Sequence, residues 1–284
     1  MKKAIFLVPT IAGIRKATFL SEVNLLIQQK FEIVVLLAMT NFDDVWQARR
    51  LFSHLVPNGK QSVRLLSLAE IYSDYQGVDL QSDDFLDMDF DGLEKHDNHS
   101  TKNHKITFID QYARPVAETL FDADDRPIHT ILMSKEGEIK QVNNYDQNGD
   151  LFGIEKYEGS FLSESLLLNK SEKLVFRFIN YKQPLRVTYT VGNSASIEIP
   201  EGLNLEDDDN SKSNDNLVKT YQGSNRSIRT SVIEYQHYTR FNNVYSFYHH
   251  VISDLNTKGA RLYLDMQYTV GALKHLPREI IFNY

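Results

Sequence analysis

Four tetrapeptides spaced twelve residues apart decide how this sequence is interpreted: Asp110-Gln-Tyr-Ala113, Asp122-Ala-Asp-Asp125, Ser134-Lys-Glu-Gly137 and Asp146-Gln-Asn-Gly149. A large apolar residue precedes each of them. Asp or Ser at the first position and Gly at the fourth are typical of type I turns, and the residues between two turns suffice for one strand. The repeat therefore predicts an antiparallel meander from about residue 105 to 160. Further strand-like runs extend this block to residue 200.

On either side of the meander, strands alternate with amphipathic helices. Ala4–Val8 and Ile33–Leu37 are short continuous apolar runs, which is typical of parallel strands covered on both faces. Apolar residues at helical spacing follow each run. The alternation continues to Tyr75 and returns near Ser231–Ile233, followed by an aromatic helix and two more strands. Such alternation predicts a parallel sheet with right-handed crossovers, as in one half of a Rossmann-like domain.

The predicted fold is thus an α/β Rossmann-like domain interrupted by an antiparallel β-meander insertion. The Rossmann-like half comprises residues 1–76 and 216–284, and the insertion comprises residues 105–200. Residues 77–104 are too polar to pack, and we expect a mobile linker there. Residues 201–215 carry most of a run of acidic side chains and are interpreted as an acidic, solvated loop.

This layout resembles the bacterial cell-surface glycosyltransferases of the GT-B class. The nearest types are the teichoic-acid α-glucosyltransferases and the paired enzymes that glycosylate serine-rich adhesins for the accessory Sec pathway. The turn tetrapeptides carry the resemblance, together with Asn41-Phe42-Asp43 after the second strand. In that family the first Rossmann domain bears a large added β-sheet, which engages the acceptor or forms the oligomer. A second Rossmann domain holds most of the nucleotide-sugar donor.

The sequence departs from that family because it offers no room for the donor-binding domain. A Glu-x7-Glu pair, Glu164 and Glu172, lies inside the β-rich block, where it is interpreted as a chance match. The resemblance then implies an acceptor-binding, non-catalytic subunit, or a truncated N-terminal module, of a glycosyltransferase acting on a cell-wall polymer or serine-rich surface protein. A complete nucleotide-sugar-dependent glycosyltransferase is one alternative. A β-sheet interaction protein unrelated to sugar transfer is the other.

The turn after the first strand is the candidate ligand site, because Rossmann-like folds bind ligands there. We assign acceptor or phosphate binding to Thr10, Gly13, Arg15 and Lys16, since a helix N-terminus and nearby cations attract anions. The alternative is that Arg15 and Lys16 are merely solvated. No catalytic residue and no cofactor are assigned.

No metal site is predicted. His96, His99 and His104 crowd one polar segment, but no His-Glu-x-x-His framework accompanies them. Asp87–Gly92 copies the first half of a calcium loop, yet Asn98 stands where the bidentate Glu belongs.

The meander is the predicted association surface. Val142, Tyr145 and Ile154 are the expected interface residues, because a sheet of hairpins needs a cover for its apolar face. Edge backbone groups also invite pairing, which we expect charges such as Glu138, Lys140, Glu155 and Lys156 to limit to a chosen partner. The expected partner is a catalytic glycosyltransferase subunit or a second copy of the chain.

The amino-acid composition excludes several classes of protein. The 284 residues carry a formal charge of −7 and no cysteine, which excludes a disulfide scaffold and a thiol nucleophile and argues against a nucleic-acid partner. The longest apolar run, Ile33–Met39, is far short of the roughly 20 residues of a transmembrane helix. The first residues lack a signal-peptide cleavage site. We expect a cytoplasmic protein, compatible with a peripheral position at the inner face of the membrane.

Overall fold

The computed structural model describes residues 2–56, 63–87, 89–99, 104–181, 186–191, 193–198, 218–221, 229–241, 243–255, 259–266, 275 and 281–284. The chain divides into two compact units, Met1–Ile179 with Ser231–Tyr284, and Asn180–Thr230. No helix in the described ranges is long and apolar enough to cross a membrane.

Five helices and eighteen strands are described. The helices are α1 (Ile11–Ile14), α2 (Ala17–Gln28), α3 (Asp43–Leu55), α4 (Leu68–Tyr72) and α5 (Val244–Asp254). The strands are β1 (Lys3–Val8), β2 (Glu32–Leu37), β3 (Val63–Ser67), β4 (Glu94–His99), β5 (His104–Ile109), β6 (Pro115–Phe121), β7 (Pro127–Met133), β8 (Ile139–Tyr145), β9 (Leu151–Glu158), β10 (Phe161–Leu168), β11 (Leu174–Tyr181), β12 (Arg186–Val191), β13 (Asn193–Glu198), β14 (Val218–Tyr221), β15 (Arg229–Glu234), β16 (Arg240–Phe241), β17 (Arg261–Leu264) and β18 (Ile281–Asn283).

A five-stranded sheet contains the predicted apolar strands. Its order is β18-β17-β1-β2-β3, and every neighbouring pair is parallel. Side chains of β1 alternate between two cores: Phe6 lies with residues of α2 and α3, and Ile5 lies with residues of α5 and β11. Because both faces are buried, the strands read as continuous apolar runs.

A ten-stranded antiparallel sheet contains the predicted meander. Its order is β16-β15-β11-β10-β9-β8-β7-β6-β5-β4. Each of the four turns spaced twelve residues apart is confirmed. The fourth residue of each turn has a positive φ: Ala113, Asp125, Gly137 and Gly149. The strand register shifts beside these turns, so each joins a type I turn to a bulge in the left-handed conformation.

The segment predicted to be a mobile linker differs most from expectation. Its residues 94–99 form β4, which pairs along its whole length with β5. All six side chains of β4 are exposed, so the strand gains no apolar burial and its sequence carries no hydrophobic alternation. Val78 also bridges to Leu174. Residues 100–103 of the expected linker lie outside the described residues.

Two further boundaries differ from the prediction. β12, β13 and β14 form a separate three-stranded sheet, so residues 218–221, expected in the Rossmann-like half, belong to it. The run Ser231–Ile233 is a strand as expected, but as part of β15 it joins the ten-stranded sheet beside β11. A strand pattern identifies a strand and leaves its non-local partner open. The predicted acidic loop, 201–215, falls outside the described residues.

Candidate functional site

The candidate site lies at the carboxyl edge of the parallel sheet. β1, β2 and β3 follow one another in one direction, whereas β17 and β18 lie on the other side of β1. Ligands of open α/β sheets bind outside the strand ends where the strand order reverses in this way. The residues that follow β1 and β17 are therefore the ones to consider first.

Lys16 is held by the residue that follows β17. Its Nζ lies 2.5 Å from Oδ1 of Asp265, whose side chain is fully buried. A buried carboxylate is costly unless a cation compensates it. The charge of Lys16 is therefore committed to Asp265, and the structure does not bring Lys16 and Arg15 together as a phosphate clamp.

Gly13 has a packing role. A Cβ on Gly13 would lie 3.3 Å from the hydroxyl oxygen of Tyr284, and that hydroxyl donates a hydrogen bond to the carbonyl of Leu7. The helix that Gly13 lies in, α1, is only four residues long, so the strong helix N-terminus expected for anion binding is not formed there.

Two polar atoms at this edge lack a hydrogen bond within the described part of the chain. They are Oγ1 of Thr10, just after β1, and Oδ1 of Asn41, just after β2. Both are buried atoms, and buried polar atoms are normally satisfied by protein, water or ligand. Thr10, a predicted site residue, thus carries unused hydrogen-bonding capacity at the sheet edge.

Arg15 lines a cleft with a volume of about 820 Å³. One wall comes from α1 and α3, with Trp46 and Arg50, and the other from the β6–β7 turn, with Asp122 and Asp124. The Arg50 guanidinium lies 5.6 Å from the centre of the Trp46 ring. The charged and titratable residues of the whole lining are two arginines, three aspartates and two histidines: Arg15, Arg50, Asp43, Asp122, Asp124, His54 and His129.

Beside this cleft, the β2–α3 junction is seated on the ten-stranded sheet. A Cβ on Gly153 would lie 2.5 Å from the Phe42 ring, so only glycine permits this close approach. The backbone N–H of Phe42 donates to Oε1 of Glu155 at 2.6 Å. His129 Nδ1 lies 3.0 Å from Oδ1 of Asp43. The tripeptide Asn41-Phe42-Asp43 therefore joins the two sheets.

Glu155 is the residue that sequence reasoning misplaced, because it was expected among exposed edge charges. Its side chain is buried, and burial raises its pKa to about 7. Besides the Phe42 N–H, it accepts a hydrogen bond from Nδ2 of Asn144 at 3.3 Å. Burial and the charge of Asp43 likewise raise the pKa of Asp44. The available signal was strand alternation, which places Glu155 on the same face as the inward Gly153.

The predicted interface residues are not on an open face. Val142 is 5% exposed and Ile154 is 1% exposed. Val142 pairs with Glu155 on one face of the sheet, whereas Ile154 pairs with Asn143 on the other, and directly opposed residues share a face. Tyr145 is half-buried and its hydroxyl lies 3.4 Å from Oγ1 of Thr130. The expectation of one uncovered apolar face is therefore corrected.

The covering of Ile154 comes from the expected linker. Ile154 packs in a cluster that includes Val78, Leu80 and Phe85. Gln141 exchanges hydrogen bonds with the backbone of Leu86, at 2.7 and 3.2 Å. Residues 78–86 are polar enough to be interpreted as linker, yet their few apolar side chains fill this face of the sheet.

Histidines of the polar segment also meet in the structure. His99 on β4 and His104 on β5 lie with Asp97 so that their potential ligand atoms are all within 4.8 Å of one another. His96 is not part of this group and contacts Glu94 instead.

The fold is similar to that of several solved structures. The accessory secretory protein 1, 2 and 3 structure from Streptococcus pneumoniae matches at a TM-score of 0.53 and 11% identity, covering 98% of this chain and 51% of that chain. TarM of S. aureus matches at a TM-score of 0.51 and 8% identity, covering 100% of this chain and 49% of that chain. The Glycosylation Associate Protein (Gap123) complex of Streptococcus agalactiae matches at a TM-score of 0.50 and 10% identity, covering 100% of this chain and 50% of that chain.

These likenesses confirm, at the level of fold, the resemblance inferred from the sequence. The chain spans about half the length of each matched chain. No protein-family model matches the sequence, and no curated protein does.

Proposed function

We propose that this chain is an acceptor-binding, non-catalytic module of a cytoplasmic glycosyltransferase machinery, working beside a catalytic subunit. The shared fold with the Gap123 complex supports the association with glycosylation. Relative to chain order, the parallel sheet runs 3-2-1-4-5, which is the order of doubly wound nucleotide-binding sheets. This order supports the Rossmann-like interpretation of the α/β part.

The observation that carries the proposal is the cleft at the carboxyl edge of that sheet. It has one wall from the α/β part and one from the β6–β7 turn of the inserted sheet. The insertion therefore builds half of a binding groove, which is what an acceptor-engaging insertion requires. Arg15 is the predicted site residue that lines it.

The lining suits a hydroxyl-rich acceptor. Three aspartates and two arginines line the cleft, and Arg126 pairs with Asp122 and Asp124, so neither sign of charge prevails. Carboxylates accept hydrogen bonds from hydroxyl groups, and the Trp46 ring offers a flat apolar surface with one donor. A serine-rich peptide chain suits this chemistry.

The cations near the sheet edge support a non-catalytic role. Lys16 is paired with the buried Asp265, and Arg49 contacts Glu70. Transfer from a nucleotide sugar needs preorganised donors or cations aimed at the departing diphosphate. Lys16 and Arg49 thus already neutralise carboxylates of the chain itself, which leaves Arg15 and Arg50 as the arginines of the cleft.

Acceptor binding is testable with the single tryptophan of the chain, Trp46, whose fluorescence reports on the cleft directly. We expect a synthetic serine-rich peptide to change this fluorescence in a saturable manner. Arg15→Ala should weaken the binding about tenfold, a loss of about 1.4 kcal/mol. Arg64→Ala, an exposed arginine on β3 outside the cleft lining, serves as the matched control. Saturation by poly(ribitol phosphate) but not by the peptide would contradict the choice of a serine-rich peptide as the acceptor.

The non-catalytic assignment has its own test. The isolated chain should neither hydrolyse nor transfer sugar from UDP-glucose or UDP-N-acetylglucosamine, with the serine-rich peptide present. Turnover by the chain alone would refute the proposal and favour a complete glycosyltransferase. Peptide binding without turnover, restored to turnover by a catalytic subunit, is the expected outcome.

A further inference from the structure

Three side chains with metal-binding atoms come together where β4 ends and β5 begins. His99 is directly opposite His104 in the strand register. Asp97 lies two residues before His99 on β4, so all three side chains share one face. None of these three residues lines the cleft, and neither sugar nor acceptor chemistry explains the cluster.

The distances within the cluster suit a tetrahedral ion. Oδ1 of Asp97 lies 3.1 Å from Nε2 of His104 and 3.4 Å from Nε2 of His99. With zinc–ligand bonds of about 2.1 Å, two ligand atoms of a tetrahedral site are about 3.4 Å apart. Both distances are therefore close to the edge length of such a tetrahedron.

His104 is placed as metal-ligating histidines are. Its Nδ1 lies 2.7 Å from Oδ1 of Asp125, while Nε2 faces Asp97. In the tautomer whose Nδ1–H donates to Asp125, the Nε2 lone pair faces Asp97 and is available to a metal ion. A carboxylate behind the ring is the usual outer partner of a histidine bound to a metal.

We propose that Asp97, His99 and His104 bind one Zn²⁺ ion, with Asp125 as the positioning residue behind His104. Two imidazoles and one carboxylate match the ligands that zinc accepts, and a water completes four-coordination. The His99 and His104 rings are stacked with centroids 3.7 Å apart, so binding requires the His99 ring to turn out of the stack. Its side chain is 62% exposed, and that leaves it free to do so.

The ion would stabilise an element that little else secures. β4 is an edge strand without a single buried side chain, and the three ligands link it to β5. The ring of His104 also stacks on Phe121 at 4.4 Å, and Phe121 lines the cleft wall. A ligand that binds only the folded state stabilises it by mass action, so zinc should protect this hairpin from local opening.

Zinc titration of the full chain tests the proposal. The tag-free, chelator-treated protein is titrated with ZnCl₂ against a chromophoric competitor, and we expect one ion per chain. His99→Ala and His104→Ala should each weaken binding about 100-fold or more. Asp125→Ala should weaken it about 10–100-fold, as loss of an outer partner does. His96→Ala is the matched control, because His96 lies on the same strand and contacts Glu94; its affinity should be unchanged.

Three results would overturn the assignment. The first is the absence of zinc binding by the unmodified chain. The second is zinc binding that His99→Ala leaves intact, since the exposed His99 variant has little reason to misfold. The third is an equal loss in His96→Ala and His99→Ala. Circular dichroism of each variant confirms folding, and the d–d absorption of the Co²⁺-loaded protein reports coordination independently of affinity.

Discussion

At the scale of single residues, the junction between the two sheets depends on a carboxyl group that is easier to bury when protonated. Glu155 has a pKa raised from 4.5 to about 7, first by burial and also by the charge of Asp43. Its hydrogen bonds from Phe42 and Asn144 oppose this rise without cancelling it. The same burial and the charge of Glu155 raise the pKa of Tyr157. The junction is therefore a pH-sensitive point in the fold.

The direction of the pH effect follows from proton binding. The folded chain binds the Glu155 proton more tightly than the unfolded chain, so this group favours folding most below about pH 4.5. That contribution declines as pH rises from 4.5 to about 7, by about 3 kcal/mol in all. We expect Glu155→Gln to flatten the decline in the free energy of unfolding between pH 5 and pH 8. Urea denaturation of both proteins at the two pH values measures it, and parallel declines would refute the assignment.

The sequence indicates the position of a residue where that position is local, and it does not indicate a distant partner. Arg15 and Thr10 follow β1, and their place at the sheet edge could be inferred from the strand alone; their binding role stays a prediction. The partner of Lys16 is Asp265, 249 residues away along the chain. No spacing in the sequence indicates that pairing.

At the scale of elements, the turns of the meander all require a left-handed residue in fourth place. Gly137 and Gly149 meet that requirement without strain, whereas Ala113 holds φ at 60°. An L-residue with a Cβ pays about 1–2 kcal/mol for this conformation, offset in part by the greater backbone entropy that glycine loses on folding.

A pair of substitutions tests this account of the turns. Gly137→Ala should lower the free energy of unfolding by about 1 kcal/mol, because a Cβ there meets open space and only the positive φ opposes it. Ala113→Gly should leave the stability unchanged or raise it slightly. Urea denaturation measures both, and destabilisation by Ala113→Gly that matches that of Gly137→Ala would contradict the turn model.

A fifth turn of the same kind could not be recognised from the sequence repeat. Asn169 begins it, with its Oδ1 accepting from the N–H groups of Ser171 and Lys173, and Glu172 holds φ at 57°. This turn does not follow the twelve-residue spacing, and its fourth residue is Glu172 instead of the glycine that is typical of such turns. Strand β4 was not predicted for a different reason. It is held by backbone hydrogen bonds to β5, and such bonds require no apolar pattern in the sequence.

At the scale of the whole molecule, the middle of the ten-stranded sheet is covered on both faces by the same chain. Phe42 and Asp43 of the β2–α3 junction meet the face that holds Gly153 and Glu155. Residues 78–86 meet the opposite face, where Ile154 lies. This second cover is fixed by contacts of Asp84 with Arg177 and of the Asp83 carbonyl with Lys156. Sequence reasoning identified the sheet and missed its covers, because each consists of a few apolar residues in polar surroundings.

This arrangement reverses the expected result of placing charges on the meander. Ile154→Lys buries an unpaired ammonium group on one covered face, so it should lower the free energy of unfolding by more than about 3 kcal/mol. Val142→Lys buries an ammonium group on the other face, directly opposite Glu155, which can pair with it, so we expect a smaller loss of stability. Ile139→Lys lies on the same strand as Val142 but is 37% exposed, and it should leave stability within about 0.5 kcal/mol of the unmodified chain. Thermal unfolding combined with light scattering separates folding from association. A folded Ile154→Lys variant of unchanged stability and reduced mass would show that this face binds another chain. A large loss of stability in Ile154→Lys, a smaller loss in Val142→Lys and none in Ile139→Lys is the result that the two covers require.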